Sequence, residues 1–129
     1  METKRVVEKN GLIVTRFSGV QSFQDAVNAI SELTKINKYR GIFEIVIHED
    51  LILDFEKEKE VDLAIKLKQT FDSFDYGALA IVSDDDFVFA ISRMVSAYID
   101  LHIDVSVFRS EDLAREWMEM KMSIMNNED

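Results

Sequence analysis

Residues 78–108 read ALAIVSDDDFVFAISRMVSAYIDLHIDVSVF, and this stretch decides the fold class. Ala78 to Val82 is an apolar run opened by Gly77 and closed by Ser83, too short for a helix and typical of a buried strand. Ser83, Asp84, Asp85 and Asp86 then supply a hydroxyl N-cap, carboxylates for the first-turn dipole and a capping-box spacing from Ser83 to Asp86, so a helix starts here. Its apolar positions Phe87, Ala90, Ile91, Met94, Val95 and Tyr98 recur at helical spacing and form one stripe that needs a sheet to cover. Phe89 lies off that stripe, placed to meet a partner or a second subunit. Ile103, Val105 and Val107 alternate with Asp104 and Ser106, as in a strand with one apolar and one partly wetted face.

Outward from this unit, Lys4 to Lys9 and Leu12 to Gly19 are strand-like runs joined by Asn10 and Gly11, a strong hairpin signal. Ser22 and Asp25 have capping-box spacing, and Phe23, Ala26, Val27, Ile30, Leu33 and Ile36 make a helical stripe that ends near Gly41. Ile42 to Ile47 is a third strand. His48 to Phe55 mixes acids with Leu51, Ile52 and Leu53 and reads equally as loop, short strand or helix lead-in. A further amphipathic helix runs from Val61 to near Phe74, and Ser110, Glu111 and Asp112 open a last one carrying Leu113, Trp117, Met118 and Met120.

Composition narrows the field. The 129 residues, 47% hydrophobic, suit one domain spanning 1–129 with an ordered core of about 3–122. Fifteen basic against 25 acidic residues give a net charge of −10, which repels nucleic acid and anionic lipid. The absence of cysteine removes disulfides, thiolate chemistry and cysteine-bound metals. No stretch reaches the roughly 20 apolar residues of a membrane span, and no signal-peptide core opens the chain, so a cytoplasmic location is expected.

Alternating strands and helices predict an α/β fold with a mainly parallel sheet of five strands, the first antiparallel, and right-handed crossovers. With strands in sequence order those crossovers share a face, which places the four helices mainly on one side. Arg16, Glu44, Asp104 and Ser106 interrupt apolar strands at alternate positions and are expected to face away from the helices, leaving the other face open.

The segments LIVTRFSGV (12–20), IFEIVIHEDLILDF (42–55), ALAIVSDDDFVFAISRMVSAYI (78–99) and IDVSVFRSEDLAREWM (103–118), with the order and lengths of the elements, resemble the SpoIIAA-like group of STAS domains. That is the fold of bacterial anti-sigma-factor antagonists, and the chain is also similar to relatives of CRAL-TRIO lipid-binding domains. The resemblance covers nearly the whole chain and implies a binding or regulatory module. It departs from the antagonists at one place: their phosphorylatable hydroxyl follows the third strand, and here LILDFEKEKEVD has neither hydroxyl nor glycine between Asp54 and Asp62. Asp54 or Glu56 can imitate a fixed phosphoryl charge there, although a helix-start acid is the plainer reading.

In such a sheet the loops after parallel strands gather at one edge, which brings Ser22, His48, Asp50, Ser83, Asp84, Asp85, Arg109 and Ser110 together. His48, Glu49 and Asp50 offer an acid, a base or metal donors, but they lack the two-histidine spacing of zinc hydrolases and suit a structural loop better. Asp84 to Asp86 are explained by capping rather than magnesium, and Arg109 can meet an anion at the helix start that follows it. His102 reads as a turn residue. Phe87, Phe89, Met94, Tyr98, Trp117, Met118, Met120 and Met122 suit either an apolar pocket or, better, ordinary core.

The expected function is a non-catalytic module using His48, Asp50, Asp54, Ser83, Asp84, Phe89 and Arg109, with no metal and no cofactor. Its partners would be a protein, including a second copy of the chain, or a small apolar ligand. The alternative is an enzyme built on a His48 and Asp50 pair at the strand ends.

Overall fold

The computed structural model describes residues 2–36, 42–54, 61, 62, 65, 66, 69, 76–99 and 104–127. The Asn10–Gly11 turn joins β1 (Glu2–Val7) to β2 (Ile13–Ser22) as an antiparallel hairpin. Gly11 N donates to Glu8 O at 2.9 Å, Leu12 N donates to Asn10 Oδ1 at 3.1 Å, and Gly11 takes φ 90°, a left-handed value that a side chain would strain. Then follow α1 (Phe23–Ile36), β3 (Ile42–Asp54), β4 (Tyr76–Ser83), α2 (Asp86–Ile99), β5 (Asp104–Phe108) and α3 (Glu111–Asn127). The strands lie in the order β1-β2-β3-β4-β5, parallel from β2 onward, which is the expected mixed sheet. Of the helix expected from Val61 to Phe74, residues Val61, Asp62, Ile65, Lys66 and Gln69 are helical and the rest lies outside the described residues, as do Gly41 and His102.

Register assigns each side chain to a face. Phe17, Leu51 and Val88 are buried together, with Ala29, Val46 and Leu53 against them, so α1 and α2 share one face. On the other, Leu12, Val14, Ile45, Ile47, Ala78, Ala80 and Val82 pack with Ala114 and Met118 of α3, flanked by Phe43, Phe108, Trp117 and Met122. The expectation that the second face is open is therefore corrected, since α3 covers it. The right-handed rule binds α1 and α2, which connect parallel strands. The last helix follows β5, closes no crossover, and is free to cover the opposite surface.

The polar markers change meaning accordingly. Glu44 neighbours Ile13 and Leu79 in register, so it shares the face of Thr15 and Val46 with the crossover helices, and only 1% of it is exposed. Asp104 is on the α3 face, 2.9 Å from Lys121 Nζ. The two do not mark one wetted surface.

The third strand runs well past Ile47. Ser18 pairs with Glu49 and Gly19 with Leu51, leaving Asp50 as a bulge at φ 48°, a value rare outside glycine. The extra residue resets the alternation, so Leu51 and Leu53 return to the face of His48. Because β3 pairs with β4 only as far as His48 and Ser83, residues 18–22 and 49–54 continue as a two-stranded ribbon. Gln21 and Leu51 are buried on its inner side, while Val20 and Ile52 stand exposed on its outer side.

Helix boundaries and stripes differ in detail from expectation. Ser22 and Asp25 form the reciprocal capping box, Ser22 N donating to Asp25 Oδ2 at 3.0 Å and Asp25 N to Ser22 Oγ at 3.1 Å. The bond from the Ser22 backbone N, and after it one from the Ser22 side chain, hold the Asp25 carboxyl below its usual range. At α2 the cap is Asp85 and not Ser83: Val88 N donates to Asp85 Oδ1 at 3.0 Å and Phe89 N to Asp85 O at 2.8 Å. Ser83 is still strand, so the chain needs Asp84 to turn before a cap can form. On α2 the buried side includes Val88 and Ser92, whereas Ala90 is exposed. Ser110 does cap α3, accepting from Leu113 N at 3.3 Å. That helix buries Ala114 and Met118 with Trp117 against the core, and exposes Leu113, Met120 and Ile124, so of the expected stripe Trp117 and Met118 pack against the sheet.

Candidate functional site

Where β4 and β5 stop, five of the expected residues meet. His48 is the register neighbour of Ser83, Asp84 lies in the turn into α2, and Arg109 follows β5 directly. Arg109 Nη1 donates to Asp86 Oδ1 at 2.8 Å and to Asp84 O at 3.4 Å, which lays its guanidinium 3.9 Å over the Phe89 ring. Asp50 is exposed in the bulge two residues past His48. Ser22 and Asp54 do not join them. They pair with each other at the far end of the ribbon, six residues beyond His48, or about 20 Å at the usual strand rise.

His48 is the unusual member. Its Nδ1 is buried without a hydrogen-bond partner, its ring centroid lies 6.2 Å from that of Phe17, and burial lowers its pKa to about 4, so the imidazole is neutral near pH 7. Ser83 beside it is 1% exposed, and among the described residues its hydroxyl has one long contact, 3.5 Å to Asp85 O. Asp50, Asp84, Asp85 and Asp86 are exposed near this pair together with Arg109, which Asp86 binds, whereas Glu49 is paired with Arg16 on the α3 face.

This electrostatic arrangement revises two expectations. The Arg109 guanidinium is already held by Asp86, and acids already complement the first turns of α2 and α3, so an incoming anion would meet carboxylates. His48 Nδ1 has no hydrogen-bond partner, so it makes no bond to Asp50. Among the described residues no cluster of His, Asp and Glu has the arrangement of a metal site. None of their helices is long and apolar enough to cross a membrane.

The aromatic and methionine set is also divided by the sheet. Phe89 belongs to α2, on the crossover-helix face, whereas Trp117, Met118 and Met122 pack on the opposite face and Met120 is exposed. These residues cannot line one pocket.

Two polar networks escaped the sequence reading. Arg5 Nε donates to Thr15 Oγ1 at 3.0 Å, and Thr15 Oγ1 donates to Glu44 Oε2 at 2.8 Å, with Arg5 Nε 3.9 Å from the same carboxylate oxygen. On the α3 face, Arg16 bridges Glu49 at 2.6 Å and Glu111 at 2.8 Å, Arg115 bonds Glu111 at 2.9 Å, and both terminal nitrogens of Arg115 reach Glu8 at 3.2 and 3.1 Å. Burial opposes ionisation of Glu111, yet hydrogen bonds from Arg16 and Arg115 outweigh it and leave that carboxyl below its usual range. Donation to Glu8 and then to Glu111 raises the Arg115 pKa. The available signal was the opposite charge of Arg16 and Glu49 on adjacent strands and of Glu111 and Arg115 four apart on a helix.

No family model and no curated protein sequence matches the chain. Its structure is similar to the crystal structure of an uncharacterized protein from the DUF3478 family with a SpoIIAA-like fold, from Shewanella loihica PV-4. The two align with a TM-score of 0.62 at 12% identity, over 91% of this chain and 92% of that one. The fold of this chain is therefore SpoIIAA-like, as the sequence resemblance implied.

Proposed function

We propose that the chain is a non-catalytic SpoIIAA-like binding module whose working surface is the strand-end edge formed by His48, Ser83, Asp84, Phe89 and Arg109. The observation that carries this reading is the guanidinium of Arg109 fixed over the Phe89 ring by Asp86. Arginine and aromatic side chains dominate recognition surfaces, and one held in place beforehand loses less freedom on binding. Asp50 borders this surface, whereas Asp54 stands apart on the ribbon. Recognition is independent of phosphorylation at the position the antagonists use, since no hydroxyl residue lies between Asp54 and Asp62.

The test is a photo-crosslinking amino acid placed at position 89 of the full chain in its host, with a second placed at the exposed β1 residue Thr3. A discrete adduct from position 89, competed by excess unmodified chain and lost with Arg109→Ala, is the expected result. Equal adducts from both positions, or none from 89, would overturn the proposal.

A further inference from the structure

β1 forms one edge of the sheet, and among the described residues no strand pairs with its outer side. Glu8 N donates to Leu12 O at 2.8 Å, and with the hairpin register this fixes the alternation along β1. Glu2, Lys4 and Val6 bond inward to β2, so the N–H and C=O groups of Thr3, Arg5 and Val7 point outward. Val6 and Val7 end this strand at 59% and 61% exposed, one on each face of the sheet. The opposite edge, β5, has half-buried side chains from Val105 to Phe108. β1 and its turn also carry the basic Lys4, Arg5 and Lys9 against Glu2 and Glu8, so this edge is slightly positive in a chain of net charge −10. It is where two copies repel least.

We infer that β1 pairs antiparallel with β1 of a second copy, joining two five-stranded sheets about a two-fold axis through Val6. Lysine and arginine on an edge strand normally ward off pairing, but here they select a register. A two-fold axis normal to the sheet keeps equivalent faces together, so residues of one face stand opposite residues of the same face. With Val6 opposite itself, Lys4 of each copy faces Glu8 of the other, and Arg5 and Val7 exchange their outward backbone bonds. The neighbouring registers fail. Centring the axis on Arg5 sets Arg5 against Arg5 and Glu2 against Glu8, and centring it on Val7 sets Val6 against Glu8 and Arg5 against Lys9. The Lys4 side chain is 72% exposed and 3.8 Å from Glu2, a weak surface contact that the new pairing replaces. Glu8 holds Arg115 through both oxygens and keeps lone pairs for a second cation.

The chain has no cysteine, so a single introduced one reports the register. Residues facing each other in an antiparallel pair have Cα atoms about 4.5–5.5 Å apart, within disulfide reach. Val6→Cys in the full chain should therefore give a covalent dimer on mild oxidation. Thr3→Cys, whose two copies would stand about 20 Å apart, should not, and neither should Ser106→Cys on β5. Light scattering at about 100 μM chain, above the micromolar dissociation constants of small interfaces, should give twice the 14.9 kDa chain mass. Lys4→Glu should weaken association about tenfold, since it sets two like-charge pairs across the axis. Val7→Pro removes an outward N–H and spares the inward ladder, so it should give a single chain with the circular dichroism of the parent. The inference is overturned if the parent is a single chain at that concentration, if Thr3→Cys or Ser106→Cys crosslinks as readily as Val6→Cys, or if Lys4→Glu and Val7→Pro leave the dimer intact. A photo-crosslink from position 3 to a second copy has twice the chain mass, which separates it from the adduct expected at position 89.

Discussion

Glu44 and His48 sit four residues apart on the same face of the same strand, and their environments are opposite. Glu44, at the N-terminal part of β3, is enclosed with Thr15 and Arg5, which hand it a hydrogen bond and a positive charge. His48, at the C-terminal part, is enclosed with apolar neighbours and an orphaned nitrogen. A fold that can satisfy a fully buried carboxylate at one end of its strands is able to satisfy an imidazole at the other. Between these two positions it does so only for Glu44, which sets a satisfied buried group against an unsatisfied one on a single strand.

The largest effect should come from the satisfied end. Glu44→Ala strands Thr15 and Arg5 and is expected to lower stability by about 3–5 kcal/mol, as breaking a buried ion pair from one side does. Urea denaturation at pH 7 measures it. A loss below about 1 kcal/mol would mean that the network is solvent-screened and would erase the contrast with His48.

Next comes the unsatisfied end. The unfolded chain takes up a proton at His48 near pH 6.5, while the folded chain resists until about pH 4. Stability is thus complete above pH 6.5 and declines as pH falls, by on the order of 3 kcal/mol at pH 4. His48→Phe should remove this slope and also raise stability at pH 7, because it deletes an unpaired buried group. Denaturation midpoints of both proteins between pH 7.5 and 4.5 test the point. Parallel curves would show His48 to be ordinary.

Much of this architecture was legible before any coordinates. Strand order, the Asn10–Gly11 hairpin and the Ser22–Asp25 capping box depend on local signals, and local signals are what a sequence displays. The two-faced covering of the sheet was not, for an identifiable reason. Polar interruptions such as Glu44 and Asp104 say that a side chain needs a partner, and the reading supplied water where the fold supplies Thr15, Arg5 and Lys121. The handedness rule was then applied to α3, which connects no parallel pair. At the site, the gathering of Ser83, Asp84, Arg109 and His48 followed from topology alone. The exclusion of Asp54 did not, because it depends on the Asp50 bulge, and nothing in HEDLILD marks a residue that will adopt φ 48°. The buried state of His48 was equally hidden, since its only sequence sign is one histidine between Ile47 and a pair of acids.

A smaller effect probes what fixes the unsatisfied end. Asp85 caps the helix that roofs His48, whereas Ser83 makes only a long contact there. Asp85→Ala should therefore lower stability by about 1 kcal/mol, the usual worth of an N-cap. Ser83→Ala should lower it by less, and the ordering of the two in thermal denaturation is the measurement. If Ser83→Ala proves the costlier, its hydroxyl has a structural bond and does not share the unsatisfied state of His48.

The smallest effect separates satisfaction from burial. The chain Glu8, Arg115, Glu111, Arg16 and Glu49 is as fully bonded as the Glu44 network, but each of its arginines is about one-third exposed, so water screens what enclosure protects in Glu44. Arg115→Met, which keeps the aliphatic packing of the stem, should lower stability by less than about 1 kcal/mol, and added salt should shrink the difference further. Its acid dependence has a separate window. The depressed Glu111 carboxyl contributes stability that is present above its unfolded pKa and is lost as pH falls through the folded one, that is, below about 4.5 and later than the loss from His48. A salt-insensitive loss of several kcal/mol in Arg115→Met would show that bonding matters more than enclosure. The distinction between the two ends of β3 would then rest on the missing partner of His48 and not on how deeply either residue lies.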